Sequence, residues 1–161
     1  MSVLREHLER YRGVTLQTLD MVPEEKLAWY PSRAQFSFAD QFAHIAQTEE
    51  FYARGLFTGD WDRSRLDAPK ARLAKDELRR KLEEARQYTL EKLAALQPAQ
   101  LDAVVSVPRV PVQWPLRSWL WYMLEHEIHH KAQLALYLRQ IDLMPPFFAF
   151  VLPPGVRPDI R

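Results

Sequence analysis

The sequence contains no cysteine among its 161 residues. This absence excludes disulfide bonds, thiol nucleophiles and thiolate ligands, and it leaves His, Asp and Glu as the candidate metal ligands. The lack of cysteine is also compatible with a reducing compartment. We therefore expect a cytoplasmic protein.

A strong charge of either sign is also lacking, because 22 Lys and Arg oppose 21 Asp and Glu for a formal net charge of +1. Such a balance gives no global field that attracts nucleic acid. The apolar stretches are broken by charge or Pro well short of a membrane span, and the N-terminus is charged from Arg5 onward instead of carrying the apolar run of a signal peptide. We expect a small-molecule substrate and neither a nucleic-acid nor a membrane partner.

Apolar residues at helical spacing predict four helices in a single domain of residues 1–161, whose hydrophobic content of 47% suffices for one core. Ser37, with Asp40 three residues further on, is a good N-cap for the second helix, and Gly59 closes that helix. The predicted helices cover residues 3–21, 38–58, 72–96 and 119–140. We find no internal repeat.

The connections between these helices predict how they pack. The polar link of residues 60–70 is longer than a tight antiparallel turn requires, so it favours a crossover between the second and third helices and an up-down-down-up order. Residues 104–115 are β-branched and Pro-rich, and we expect an extended loop there, while a Pro- and aromatic-rich tail follows the fourth helix. The chain is thus predicted to be an all-α four-helix bundle, an architecture in which facing helices build metal sites.

Three of the five histidines fall within one five-residue stretch of the fourth helix. They are His126, His129 and His130. At about 100° per residue, His126 and His130 are only roughly 40° apart and one turn from each other. The apolar residues of this helix centre near 60° from His126, whereas His129 falls about 120° from that centre. The wheel therefore predicts His126 and His130 as inward-facing ligands of one ion and His129 as outward-facing.

The same residues also match H-E-x-x-H, the zinc metalloprotease motif in which the Glu is the general base. Such a protease takes a third ligand downstream, but the 31 residues after His130 contain no His and no Glu. No upstream segment predicts the sheet that holds an extended peptide. A zinc protease with Glu127 as its base is therefore the weaker alternative.

Three segments carry a family resemblance. They are residues 19–31 (LDMVPEEKLAWYP), 36–49 (FSFADQFAHIAQTE) and 126–140 (HEIHHKAQLALYLRQ). Their order and spacing resemble those of the DinB/YfiT-like metal-dependent four-helix bundles over nearly the whole chain. The resemblance implies a divalent ion, commonly zinc or nickel, held by one His of the second helix and two of the fourth, here His44, His126 and His130. Asp142, where such proteins often have Gly, and Glu127, at a variable position, depart from the pattern.

Several other residues near these histidines have two interpretations each. His44 lies roughly 115° from the centre of its apolar face, a flank position that can look across at the fourth helix, with Thr48 on the same wall. Glu49 is either near the metal, as a fourth ligand or a support, or paired with Arg or Lys. Gln133, like Glu127 a candidate catalytic residue, either donates a hydrogen bond to a bound ligand or bonds between helices. Trp119 and Tyr137 either form a wall of the pocket or pack in the core. His7 is expected at the protein surface.

Three neutral imidazoles leave open positions on a metal ion, which is typical of a catalytic site. The resemblance implies a metal-dependent enzyme that activates water or a low-molecular-weight thiol cofactor, of thiol S-transferase or hydrolase type, in stress or detoxification. A non-catalytic metal-binding stress protein is the alternative. The tail at residues 144–152 is too apolar to remain exposed to water, so it folds over the bundle or packs on a second subunit. Together with the dimers that the resemblance implies, it leads us to expect a homodimer.

Overall fold

A computed structural model describes residues 2–66 and 73–146. Within these ranges the chain forms four long helices, which confirms the predicted all-α bundle. The helices are α1 (Ser2–Met21), α2 (Phe38–Thr58), α3 (Lys75–Ala95) and α4 (Leu116–Gln140). Short 3₁₀ helices occur at Glu24–Lys26, Arg63–Arg65 and Pro98–Asp102, and two strands, β1 (Val104–Ser106) and β2 (Gln113–Pro115), precede α4.

The helices run up-down-down-up, as predicted. α1 is antiparallel to α3, because Asp20 at the end of α1 pairs with Arg79 near the start of α3. α2 is antiparallel to α4, because Gln41 near the start of α2 donates a hydrogen bond to Tyr137 near the end of α4. α1 and α4 run parallel, as two contacts along their length show: His7 with Trp121, and Thr15 with Glu127.

The ends of α2 are formed by local side-chain and backbone chemistry. The Ser37 hydroxyl accepts a hydrogen bond from the Asp40 amide at 3.1 Å, and the Asp40 carboxylate accepts one from the Ser37 amide at 3.2 Å. This reciprocal capping box satisfies two amide donors that the first turn leaves free. Gly59 ends the helix at φ 74°, a left-handed conformation that glycine adopts without a Cβ penalty.

The segment of residues 104–115 differs from the extended loop that we expected. It forms an antiparallel hairpin in which Val105 lies opposite Trp114, and the Leu116 amide donates to the Ala103 carbonyl at 2.9 Å. The β-branched residues supply extended backbone, and Pro115 ends the ladder just before the helix, where its missing donor costs nothing. α4 consequently begins at Leu116 and not at residue 119.

Two other boundaries also shift. α3 begins at Lys75, because Ala74 has an extended ψ of 157° and Leu73 precedes it outside the helix, whereas the prediction placed the start at residue 72. After α4, Asp142 adopts φ 60°, a left-handed conformation that glycine would accept more readily. Most of the apolar tail lies at residues 147–152, outside the described residues. No helix in the described part of the chain combines the length and apolar character that crossing a bilayer requires.

Candidate metal centre

His44 of α2 and His126 and His130 of α4 meet between the two helices. Each offers a ring nitrogen, and these three nitrogens all lie within 4.8 Å of one another. The Nε2 atoms of His44 and His126 are 3.1 Å apart. Because α2 and α4 are antiparallel neighbours, one histidine of α2 faces a pair one turn apart on α4. This spacing suits three ligands of a single ion.

The burial of the α4 histidines agrees with the helical wheel. His130 is buried at 8% exposure, and His126 is half-buried. His129 is exposed, and its ring nitrogen Nε2 lies 2.8 Å from Nε2 of Gln133. The structure therefore brings together His44, His126 and His130 and leaves His129 outside the group.

Both inward histidines of α4 are held in the neutral form. Burial, together with the neighbouring His44, lowers the pKa of His126 to about 4. Burial, together with His126 and His44, lowers the pKa of His130 to about 3. A neutral imidazole carries a free lone pair, which is the form that binds a metal. The donor set thus fits a divalent ion of borderline softness.

Gln41, which sequence reasoning missed, orients His130. Its side-chain oxygen lies 2.6 Å from Nδ1 of His130, and the glutamine is only 1% exposed. If Nδ1 donates this hydrogen bond, the proton is fixed there and Nε2 is left as the ligand atom, as is usual for a metal-binding histidine. Thr48, one turn after His44, places its hydroxyl 3.5 Å from Nδ1 of His44 on the same wall.

Gln133 connects the helices, which is one of its two expected roles. Its side-chain oxygen accepts a hydrogen bond from Nε2 of Gln41 at 2.6 Å. The same Gln41 nitrogen lies 3.2 Å from the Tyr137 hydroxyl. A chain of hydrogen bonds therefore runs from His130 through Gln41 to Gln133 and stiffens the α2–α4 interface.

A pocket of about 340 Å³ opens beside His44 and His126, within the size range of small-molecule sites. The loop between β1 and β2 forms one of its walls, so the hairpin has a direct part in shaping it. The other lining residues come from α2, from α4 and from the 3₁₀ segment after α2. The full lining is His44, Thr48, Phe51, Tyr52, Arg63, Leu66, Val107, Pro108, Val110, Tyr122 and His126.

Glu127 belongs to a buried ion-pair network and does not line this pocket. Its carboxylate accepts hydrogen bonds from Arg12 at 2.8 Å, from Thr15 at 2.8 Å and from Arg86. Lys131, one turn further along α4, places its ammonium 4.9 Å from the centre of the Tyr11 ring. Glu127 has the position of a structural acid rather than that of a general base beside a metal.

Glu49 occupies the same network, so of its two interpretations the structure shows the ion pair. Its carboxylate accepts a hydrogen bond from Arg12 and lies 3.0 Å from Nε of Arg86. Burial alone would raise the pKa of Glu127, but the charges of Arg12 and Arg86 lower it well below its usual value. The charges of two arginines and two carboxylates, each from a different helix, thus balance one another in the core. We call Arg12, Glu49, Arg86 and Glu127 the ion-pair quartet.

Trp119 and Tyr137 are core residues, at 1% and 4% exposure. The Trp119 indole nitrogen donates to the Val105 carbonyl at 3.0 Å, which attaches the hairpin to α4. His7 is half-buried at the rim of α1, with its ring 5.9 Å from that of Trp121.

The family model of the DinB superfamily matches residues 7–134 of this chain. The chain belongs to the DinB superfamily. Its fold is similar to that of a DinB-like protein from Bacillus subtilis, with a TM-score of 0.73, 21% identity, and coverage of 90% of this chain and 96% of the other. It is also similar to a DinB-like protein from Bacillus cereus ATCC 10987, with a TM-score of 0.74, 16% identity, and coverage of 91% and 95%. No curated protein matches the sequence.

Proposed function

We propose that this DinB-superfamily chain binds one divalent ion, zinc or nickel, through His44, His126 and His130, and that it is a metal-dependent enzyme. The observation that carries the proposal is the convergence of three ring nitrogens within 4.8 Å beside an open pocket. Three protein ligands leave coordination positions free, whereas a structural site closes all four.

A low-molecular-weight thiol suits this pocket better than water as the activated nucleophile. When bound, a divalent ion supplies Lewis acidity that makes a water or thiol a stronger acid. A thiol with a pKa of about 8.5 needs a far smaller shift than bulk water at about 15.7. The described lining residues include no carboxylate that would serve as a general base for hydrolysis. We therefore favour thiol S-transfer, in which the thiol gives its proton to solvent, the sulfur bonds to an electrophilic carbon, and the leaving group departs from that carbon with its electron pair.

Residues around the three histidines orient the metal ligands and enclose the reacting thiol. Gln41 holds His130, and Thr48 lies beside His44, so the two ligand rings have fixed orientations. Phe51 and Val107, each 3% exposed, give the pocket apolar walls that exclude water from the reacting sulfur. A drier pocket preserves the thiolate as nucleophile and protects the electrophile from hydrolysis.

The test is a turnover assay on protein loaded with zinc or nickel, using a small thiol with a chromogenic aryl halide and, in parallel, ester and amide substrates. We expect thiol consumption that requires the metal and that His126→Ala abolishes. His129→Ala is the matched control, since this exposed residue should leave turnover intact. Stoichiometric metal without turnover on any substrate would overturn the enzyme proposal in favour of a non-catalytic metal-binding protein.

A further inference from the structure

The pocket beside the three histidines contains one permanently charged side chain, Arg63, among its described lining residues. Arg63 lies on the short 3₁₀ helix after α2, and the other described lining residues are aromatic, aliphatic or neutral polar. The histidines and Arg63 therefore present two different chemistries to one small cavity of about 340 Å³. His44 and His126 offer metal ligands, and Arg63 offers a cation.

Among the described residues, Arg63 differs from the arginines near it in the sequence, which pair with carboxylates. Arg65, two residues on, pairs with Asp60 at 2.6 Å, and Arg54 pairs with Glu50 at 2.9 Å. Among the residues that the structure describes, Arg63 forms no ion pair. Because Arg63 lines the pocket, its guanidinium lies within reach of a molecule bound there.

The electrostatics of Tyr52 show that the charge of Arg63 acts on the pocket wall. Burial raises the pKa of the Tyr52 phenol, and the neighbouring Tyr122 raises it further, while the positive charge of Arg63 opposes the rise. Tyr52 and Tyr122 both line the pocket, with ring centres 5.4 Å apart. Arg63 and Tyr52 are thus near neighbours among the residues that line the cavity.

We propose that Arg63 binds the carboxylate of a small substrate or cosubstrate whose opposite, sulfur-bearing end lies at His44, His126 and His130. The inference rests on the proposed function and names its substrate class, a carboxylate-bearing low-molecular-weight thiol. A guanidinium pairs with a carboxylate through two parallel hydrogen bonds, which adds orientation as well as attraction. Phe51, Leu66 and Val107 also line the pocket and would contact the carbon chain.

A matched pair of probes tests this assignment on cobalt(II)-loaded protein. 3-Mercaptopropionate and 2-mercaptoethanol present the same thiol, but one carries a carboxylate and the other a hydroxyl. Titration is followed through the sulfur-to-cobalt absorption band, so the readout is independent of turnover. We expect the carboxylate probe to bind the unmodified protein about fivefold more tightly, the upper range for a charge pair whose arginine is exposed to solvent.

Two variants separate a local contact from a general charge effect. Arg63→Gln should reduce the preference to about twofold or less, while Arg54→Gln, which removes the same charge outside the pocket, should keep it. Because Arg63 is exposed, the variant should fold and bind cobalt as before, and metal content is measured for each protein.

Three outcomes would overturn the inference. Equal affinity of the two probes for the unmodified protein would remove the carboxylate site while leaving the proposed function intact. Loss of the preference in both variants would assign it to overall charge. If neither probe produces the absorption band on cobalt-loaded protein, thiol binding itself fails, and the inference fails together with the proposed function.

Discussion

Replacing Glu127 by Gln should destabilise the bundle by about 3 kcal/mol while leaving its metal content unchanged. The side chain is 2% exposed, and its carboxylate pairs with Arg12 and Arg86. The substitution leaves the two guanidinium groups with a single carboxylate, that of Glu49, and an uncompensated buried charge typically costs about 3–5 kcal/mol. Because domains are stable by only about 5–15 kcal/mol, the effect is large and easily measured.

The assay is urea unfolding of the metal-free protein, with two comparisons. Glu9→Gln removes a carboxylate from an exposed pair with Arg5, whose side chains are 46% and 55% exposed, and it should cost less than about 1 kcal/mol. The double variant Arg86→Gln with Glu127→Gln restores charge balance in the quartet. It should therefore be less destabilised than the sum of its two single variants, by more than about 1 kcal/mol.

A result in which Glu127→Gln unfolds within about 0.5 kcal/mol of Glu9→Gln would refute the electrostatic reasoning. A second result would refute the assignment of roles. If the variant kept its metal and its fold but lost all turnover, Glu127 would be acting as the general base of an H-E-x-x-H site, since general-base catalysis contributes about 10²- to 10⁴-fold.

Three further predictions follow from other contacts. Gln41→Leu should weaken metal binding by about 10- to 100-fold in chelator competition, because His130 loses its orienting partner; unchanged affinity would contradict this. Gly55→Ala should lower thermal stability more than Gly59→Ala, because a methyl at Gly55 would collide with the Trp61 indole, whereas at Gly59 it meets no atom within 4 Å and costs only the roughly 1–2 kcal/mol of a left-handed alanine. The expected homodimer remains a prediction, and sedimentation that shows a monomer with and without residues 144–161 would dismiss it.

Most of the bundle could be predicted from apolar spacing and end signals. The apolar spacing along α2 and α4 reflects burial of one helical face. The capping residues Ser37 and Gly59 act within a few residues of the helix ends, so a short stretch of sequence predicts both features. The sequence does not predict the hairpin, because strand pairing joins Val104 to Pro115 across eleven positions and no local pattern indicates that pairing. The start of α4 was missed with it, since the end of β2 positions Leu116.

The candidate site also combines features that one helix predicts with features that depend on contacts between helices. The placement of His126, His129 and His130 follows from angles on one helix, so the wheel predicted which side chains face inward. The ion-pair quartet joins four helices and has no spacing signature. A pair with Arg or Lys is one of the two sequence-based interpretations of Glu49, but no sequence pattern identifies Arg12 and Arg86 as its partners. The position of Gln41, one turn before His44, is also visible in the sequence. Its role is not predicted, because amide side chains on the flank of a helix usually face water.

The most direct test of the central claim is metal stoichiometry in single His→Ala variants purified without a histidine tag and reconstituted with zinc or nickel. We predict about one ion per chain in the unmodified protein, and loss of that ion in each of the His44, His126 and His130 variants. His129→Ala should retain it. Stoichiometric metal in the His44 variant, or equal loss in the His129 variant, would contradict the three-histidine centre.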